Sequence, residues 1–307
     1  PPHTLEIPIF VSDQNNNNLF DGADYILFYG KALNSWYYNY TARQFQYQTH
    51  PYDTKNNYLI TFSGMNGKRM IVESLENIPG APAAEFHTKK YHFEEDKYNL
   101  LASGPDWYGN RFFGISGSYS KTMTINSFND NYNTSEIHVK FKGGSKIEYN
   151  PSDKDTYRYY FTLYLNNHLL LNRVNFTDYS YKIYSVNLSD PSYLLEGQNI
   201  FNIQYEGNLD ACQAYLDWIE ILHPANFNAS NNYLNVYSHY YDDRNYTITN
   251  LSGNDFNIFD VTNPAEPKIL AQNLVSQNGQ ISFGIPADTH LKNIPVSYTH
   301  LRAHETK

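Results

Sequence analysis

The stretch Tyr159-Tyr160-Phe161-Thr162-Leu163-Tyr164-Leu165, with Asn166-Asn167-His168 behind it, decides the fold. Its residues alternate. Tyr160, Thr162 and Tyr164 fall on one side of an extended chain, and Phe161, Leu163 and Leu165 on the other. A period of two is the signature of a strand with one buried face. Asn166-Asn167 then reads as a hairpin tip, because asparagine tolerates the left-handed backbone of a tight turn. Working outward, runs of the same kind cover residues 119–125, 136–142, 181–186, 199–205 and 214–222. Turn chemistry separates them at Gly143-Gly144, Glu196-Gly197-Gln198-Asn199 and Gly207-Asn208, with residues 188–197 as a loop. Short alternating strands at this spacing predict an all-β fold. Its centre is an antiparallel β-sandwich over 104–225, jelly-roll-like, with Trp218 of Leu216-Asp217-Trp218-Ile219-Glu220 near the core.

Smaller β domains are expected on either side. Residues 1–82 read as strands and tight turns, among them a strand over 58–62 and a turn at 64–69 leading into Met70-Ile71-Val72. Pro79 to Pro82 marks a break. Residues 83–103 carry mixed charge and predict a connecting arm, partly helical or extended. Residues 226–294 suggest a small β domain with strands over 233–237, 246–249, 256–260, 268–271 and 280–283. The end of the chain, 295–307, shares no character with what precedes it. Val296 to Lys307 resembles a translated sequencing-adapter tail and is set aside from the fold. The opening Pro1-Pro2-His3 reads as mid-phrase, so the natural N-terminus is expected further upstream.

Composition supports the β reading. Only 17% of the 307 residues are charged, yet mean hydropathy is −0.62, so the polarity comes from uncharged side chains and from 30 tyrosines. Aromatic residues suit pleated surfaces, and asparagine suits turns. The net charge of −9 contains no basic run, which excludes a nucleic-acid partner. Cys212 is the single cysteine, so no internal disulfide forms. No apolar run reaches the length of a transmembrane helix.

One loop carries metal-ligand spacing. In Asp13-Gln14-Asn15-Asn16-Asn17-Asn18-Leu19-Phe20-Asp21-Gly22-Ala23-Asp24, oxygen side chains stand at positions 1, 3, 5, 9 and 12: Asp13, Asn15, Asn17, Asp21 and Asp24. The Leu19 carbonyl takes position 7. This is the spacing of an EF-hand-type calcium loop, in which alternate oxygens surround a hard cation. Two positions depart from the pattern. Asn18 replaces the usual glycine at position 6, and Asp24 replaces the longer glutamate at position 12. The flanks, Ile7 to Val11 and Tyr25 to Tyr29, have strand character, so the reading is a strand–loop–strand calcium clip. An Asn-rich hairpin loop without metal is the other reading.

Other candidates carry less. Cys212 sits beside Asp210, which opposes a thiolate, and reads as structural. His87 and His92 with Glu85, Glu94, Glu95 and Asp96 match no ligand spacing and read as a solvated arm. Asp106, or Asp217, with Glu220 would be a glycosidase pair only if the fold set them across a cleft. Trp36, Tyr37, Tyr38, Trp107 and Tyr108 are candidate platforms for carbohydrate, or else packing residues. Sequons such as Asn39-Tyr40-Thr41 and Asn245-Tyr246-Thr247 are expected by chance in so Asn-rich a chain.

Four phrases together resemble one family: Asp24-Tyr25-Ile26-Leu27-Phe28-Tyr29-Gly30; Asp106-Trp107-Tyr108-Gly109 with Arg111-Phe112-Phe113; Leu216-Asp217-Trp218-Ile219-Glu220 ending at His223-Pro224; and Phe259-Asp260-Val261-Thr262-Asn263-Pro264. In this order and spacing they are similar to the region preceding the peptidase domain in gingipain-type cysteine peptidases, above all the sortase-like proteins of the type IX secretion system. The resemblance covers about residues 5–290. It implies a β-rich accessory region whose partner is its own downstream peptidase domain, with secreted protein substrates or secretion-system components as further partners. It also implies a protein outside the cell or on the bacterial outer membrane. The family's catalytic histidine and cysteine lie in an α/β domain that would begin after residue 290, and no position here matches them. The alternative is a calcium-stabilised carbohydrate-binding or adhesion module.

Overall fold

The computed structural model describes residues 5–22, 24–61, 64–100, 104, 106–145, 157–188 and 190–298. In chain order the strands are β1 (Ile9–Ser12), β2 (Tyr25–Phe28), β3 (Ser35–Asn39), β4 (Gln44–Gln48), β5 (His87–Glu94), β6 (Tyr98–Asn99), β7 (Trp107–Tyr108), β8 (Arg111–Phe113), β9 (Ser116–Ile125) and β10 (Glu136–Gly143). They continue with β11 (Arg158–Leu165), β12 (His168–Thr177), β13 (Tyr181–Asn187), β14 (Gly197–Gly207), β15 (Gln213–Ala225), β16 (Tyr233–Tyr237), β17 (Arg244–Ile248), β18 (Phe256–Asp260), β19 (Lys268–Leu274), β20 (Ile281–Ile285) and β21 (Asn293–Tyr298). Among the described residues a single 3₁₀ turn, Pro191–Tyr193, interrupts them. The chain groups into two units, residues 88–226 and residues 1–87 with 227–307.

The 88–226 unit is an antiparallel sandwich. One sheet has the order β13-β10-β15-β5, with β8 also on β15; the other has the order β12-β11-β14-β9. Apart from the β11–β12 hairpin, successive strands from β9 to β15 cross between the sheets, the winding of a jelly roll. The core lies where the alternation of 159–165 puts it. Phe161, Leu163 and Leu165 are fully buried against Val139, Phe141, Ile203 and Ile219. The rings of Phe141 and Phe161 stack across the two sheets with centroids 3.9 Å apart. Asn166 and Asn167 form the hairpin tip, both left-handed at φ 48° and 69°. Behind it, Asn199 is fully buried and fully bonded. Its Oδ1 accepts from Leu195 N and Asn166 Nδ2, and its Nδ2 donates to the Leu195 and Gly197 carbonyls, which fixes the loop after the 3₁₀ turn.

Four expectations are corrected. Trp218 is half-buried and faces outward, with its ring 6.0 Å from that of His92. The cause is a β-bulge. Lys140 pairs with Trp218 but Phe141 pairs with Leu216, so Asp217 is the extra residue and the inward parity moves to Ile219. The arm at 83–103 contains no helix among its described residues. Its centre is β5, a strand of the sandwich, which turns Tyr91 and Phe93 toward the core. The run at 58–62 forms no strand over 58–61, and Leu59 is 86% exposed; Phe62 lies outside the described residues. Among the described residues no strand pairs with it. Finally, Val296 and Ser297 are not outside the fold. They belong to β21, which pairs with both β16 and β18, and Val296 is fully buried.

The other unit is also all β. Its main sheet has the order β16-β21-β18-β19, joined by the pairs β17-β20, β1-β2 and β3-β4. Tyr246, Phe256, Ile258, Phe283, Ile294 and Val296 fill its core. The hairpin β1-β2 packs Phe10 and Leu27 against a second cluster of Met70, Phe259, Val261 and Ile269. Ile9 N donates to the Lys68 carbonyl and Met70 N to the Ile9 carbonyl, which ties this hairpin to residues 68–70.

Candidate functional site

The loop between β1 and β2 holds its shape through its own carboxylates. Asp13 Oδ1 and Oδ2 accept the backbone N–H groups of Asn17 (3.2 Å) and Asn18 (2.8 Å). Asp24 accepts those of Gln14 and Asp21, each at 2.8 Å. Asp21 Oδ2 accepts from Asn15 Nδ2 at 2.7 Å and Asn17 Nδ2 at 3.0 Å. Asn16 and Asn18 are left-handed, at φ 54° and 60°. Asn18 therefore makes the turn at position 6 that glycine ordinarily makes. The fit to calcium is partial. Asp21, Asn15 and Asn17 converge, and an end-for-end turn of either amide would offer Oδ1 in place of Nδ2. Among the described residues, no three His, Cys, Asp or Glu side chains gather closely enough to hold a metal ion.

A second polar constellation lies on the outward face of the β13-β10-β15-β5 sheet. His92 sits with its ring nitrogens 2.9 Å from Glu220 Oε1 and 3.1 Å from Glu94 Oε2. Against two ionised carboxylates, which only accept, both nitrogens can donate only from the imidazolium form. Burial opposes that charge, but the hydrogen bonds to the two carboxylates and their negative charge outweigh it and raise the pKa. Lys140 Nζ pairs with the buried Asp217 at 2.8 Å. Burial still pushes the Asp217 carboxyl up, with Lys140 pulling the other way. His138 Nδ1 bonds Ser185 Oγ at 2.8 Å. His92 is therefore no part of a solvated arm, and His87 is buried too, with its ring 5.4 Å from that of Phe227. Sequence reading missed this network because its members come from β5, β10 and β15, whose pairing no local pattern encodes.

The remaining candidates separate. Cys212 is fully buried, with its thiol 3.1 Å from Asn208 Oδ1. Asp217 and Glu220 are both committed to cationic partners. Trp36 packs on Tyr47, and Tyr38 on Tyr40 and Phe45. Tyr37 and Trp107 are each 44% exposed, while Tyr108 is buried near Tyr215. Trp36, Tyr37 and Tyr38 belong to one unit of the chain, and Trp107 and Tyr108 to the other.

No protein-family profile matches the chain, and no curated protein does. Its fold is similar to that of dimeric latent PorU from Porphyromonas gingivalis, with a TM-score of 0.60 and 12% identity over 95% of this chain and 27% of that one. The chain thus spans about a quarter of the PorU chain. Two further likenesses are remote. A structure of infectious bursal disease virus, Gx strain, has a TM-score of 0.28 and 9% identity over 78% of this chain and 50% of that one. A calcium-binding mutant of Bacteroides uniformis beta-glucuronidase 2 has a TM-score of 0.25 and 10% identity over 70% of this chain and 29% of that one. What the chain shares with PorU is a multidomain β architecture.

Proposed function

We propose that this chain is a non-catalytic, β-rich accessory region of an exported gingipain-type cysteine peptidase, of the kind found in type IX secretion sortases. The observation that carries the reading is the fold likeness to PorU, which extends over 95% of the chain. The four family-like phrases agree with it. In the fold they occupy β2, the β7–β8 segment, β15 and the end of β18. On this reading the region braces its own peptidase domain or docks secreted proteins or secretion-system components, outside the cell or on the outer membrane. The nucleophile comes from elsewhere in the parent protein, since Cys212 is sealed in the sandwich core. The test is the reading frame of the source gene beyond residue 298. An α/β domain with a histidine–cysteine pair is expected there, and a frame that continues into an unrelated domain overturns the reading. Alone, the chain is expected to cleave no peptide substrate, and Cys212→Ala to change nothing.

The β1–β2 loop is part of this proposal, as a calcium clip formed by Asp13, Asn15, Asn17, Asp21, Asp24 and the Leu19 carbonyl. Its support is the ligand spacing and the left-handed Asn18. Loops of this kind in extracellular modules bind at roughly 10⁻⁴–10⁻³ M. Binding to the folded state alone stabilises by about 2.7 kcal/mol at a hundredfold excess over Kd. Calcium is expected to raise the melting temperature relative to chelator in the natural chain and not in Asp13→Ala. Equal melting in both buffers overturns the clip.

A further inference from the structure

The outward face of the β12-β11-β14-β9 sheet is built by the same alternation that fills the core, and the strand register arranges it in rows. Ser120, Asn202 and Tyr164 stand side by side across β9, β14 and β11. Ser118, Gln204 and Thr162 form the next row. The row beyond holds Glu206 and Tyr160. There Arg173 lies 4.0 Å over the Tyr160 ring and pairs with Glu206 at 3.1 Å, so the charges at that end are spent on each other. The two middle rows contain no ionisable group except the Tyr164 phenol.

A hollow of about 500 Å³ opens on these rows, lined by Tyr119 and Ile203 and by six polar residues, Ser118, Ser120, Tyr164, Asn167, Asn202 and Gln204. That lies within the roughly 300–1,000 Å³ of small-ligand sites. Among the described residues, no hydrogen bond or ion pair engages the side chains of these six. Elsewhere on the same unit, polar side chains are committed: Asn199 makes four bonds, and His92 makes two.

We propose that this hollow binds a neutral carbohydrate chain. Each sugar hydroxyl is both donor and acceptor. The amides of Asn167, Asn202 and Gln204 present a donor and an acceptor side by side, and the serine hydroxyls serve either role. Tyr164 offers a ring on which the C–H face of a sugar can lie. The absence of net charge in the middle rows disfavours anionic and cationic ligands, which would lose hydration without a counter-charge. This assignment is independent of the accessory-region reading and stands or falls without it.

The test is an array of neutral oligosaccharides in gluco, manno, xylo and galacto configuration, with an oligogalacturonate as the acidic arm, followed by calorimetry on the whole chain. At least one neutral chain is expected to bind more tightly than ~1 mM. Tyr164→Ala should weaken it roughly tenfold through lost ring contact. Ser120→Trp removes no polar contact from the core and fills the hollow, and it should abolish binding with an unchanged melting temperature. Trp107→Ala should leave binding intact. The proposal is overturned if no neutral chain binds, if only the acidic arm binds, or if binding survives both Tyr164→Ala and Ser120→Trp in folded protein.

Discussion

The two outward faces of the sandwich are made by the same device, alternate residues of antiparallel strands, and they end in opposite chemical states. On the β13-β10-β15-β5 face the polar groups are ionisable, buried or half-buried, and bonded to one another: His92 with Glu94 and Glu220, and Lys140 with Asp217. On the β12-β11-β14-β9 face the middle rows are uncharged, only Thr162 among their described side chains is engaged, by the Arg173 N–H, and they open onto a hollow. The difference shows what polar groups on a sheet do in each case. Charges removed from water must find partners, and once paired they become structure. Neutral amides and hydroxyls left in water keep their bonding capacity for something else.

Four substitutions or titrations can break or sharpen that contrast. The largest effect is expected at the layer both faces share. Phe161→Ala empties the stack with Phe141 and should cost about 4 kcal/mol in denaturant unfolding, because a buried aromatic leaves a cavity that its neighbours fill only in part. A loss confined to one sheet's hydrogen-exchange protection would contradict a common core. Next comes the charged face. Glu220→Ala leaves the buried His92 with one carboxylate, and about 3 kcal/mol of stability should go with it. Stability unchanged within error would demote the network to coincidental contacts.

pH dependence should separate two histidines on the same sheet. His92 has a raised pKa, so its contribution is fully present below the ordinary value of about 6.5 and is lost as pH rises through the folded-state pKa. His223 is the converse. It is buried and stacked with Tyr91, and burial pushes its pKa down to about 4. Its cost therefore appears as pH falls below about 6.5 toward that value. Unfolding curves of His92→Gln should converge on the natural chain as the solution becomes alkaline, and a gap that widens would reverse the assignment. The smallest effect belongs to the neutral face. Gln204→Ala should change stability by less than about 0.5 kcal/mol, since its side chain bonds nothing among the described residues. A larger loss would mean that this face, too, is structure.

The sequence by itself determined the strands and their inward faces where alternation was uninterrupted. Phe161, Leu163 and Leu165 went to the core as their spacing required, and the Asn166-Asn167 turn formed where its residue types called for it. The left-handed Asn18 followed for the same local reason. Side-chain direction and turn conformation are set by a residue and its immediate neighbours, so they can be read along the chain. Only the tertiary structure decided the rest. The bulge at Asp217 inverted the parity that would have buried Trp218, and a bulge exists only relative to the partner strand, here β10. Pairing of β5 in the sandwich brought His92 to Glu220, and pairing of β21 between β16 and β18 drew Ile294 and Val296 inside. It also aligned Ser120, Asn202 and Tyr164 from three separate strands. Register is a relation between distant segments, fixed by the sum of cross-strand contacts, and no single stretch of the chain contains it.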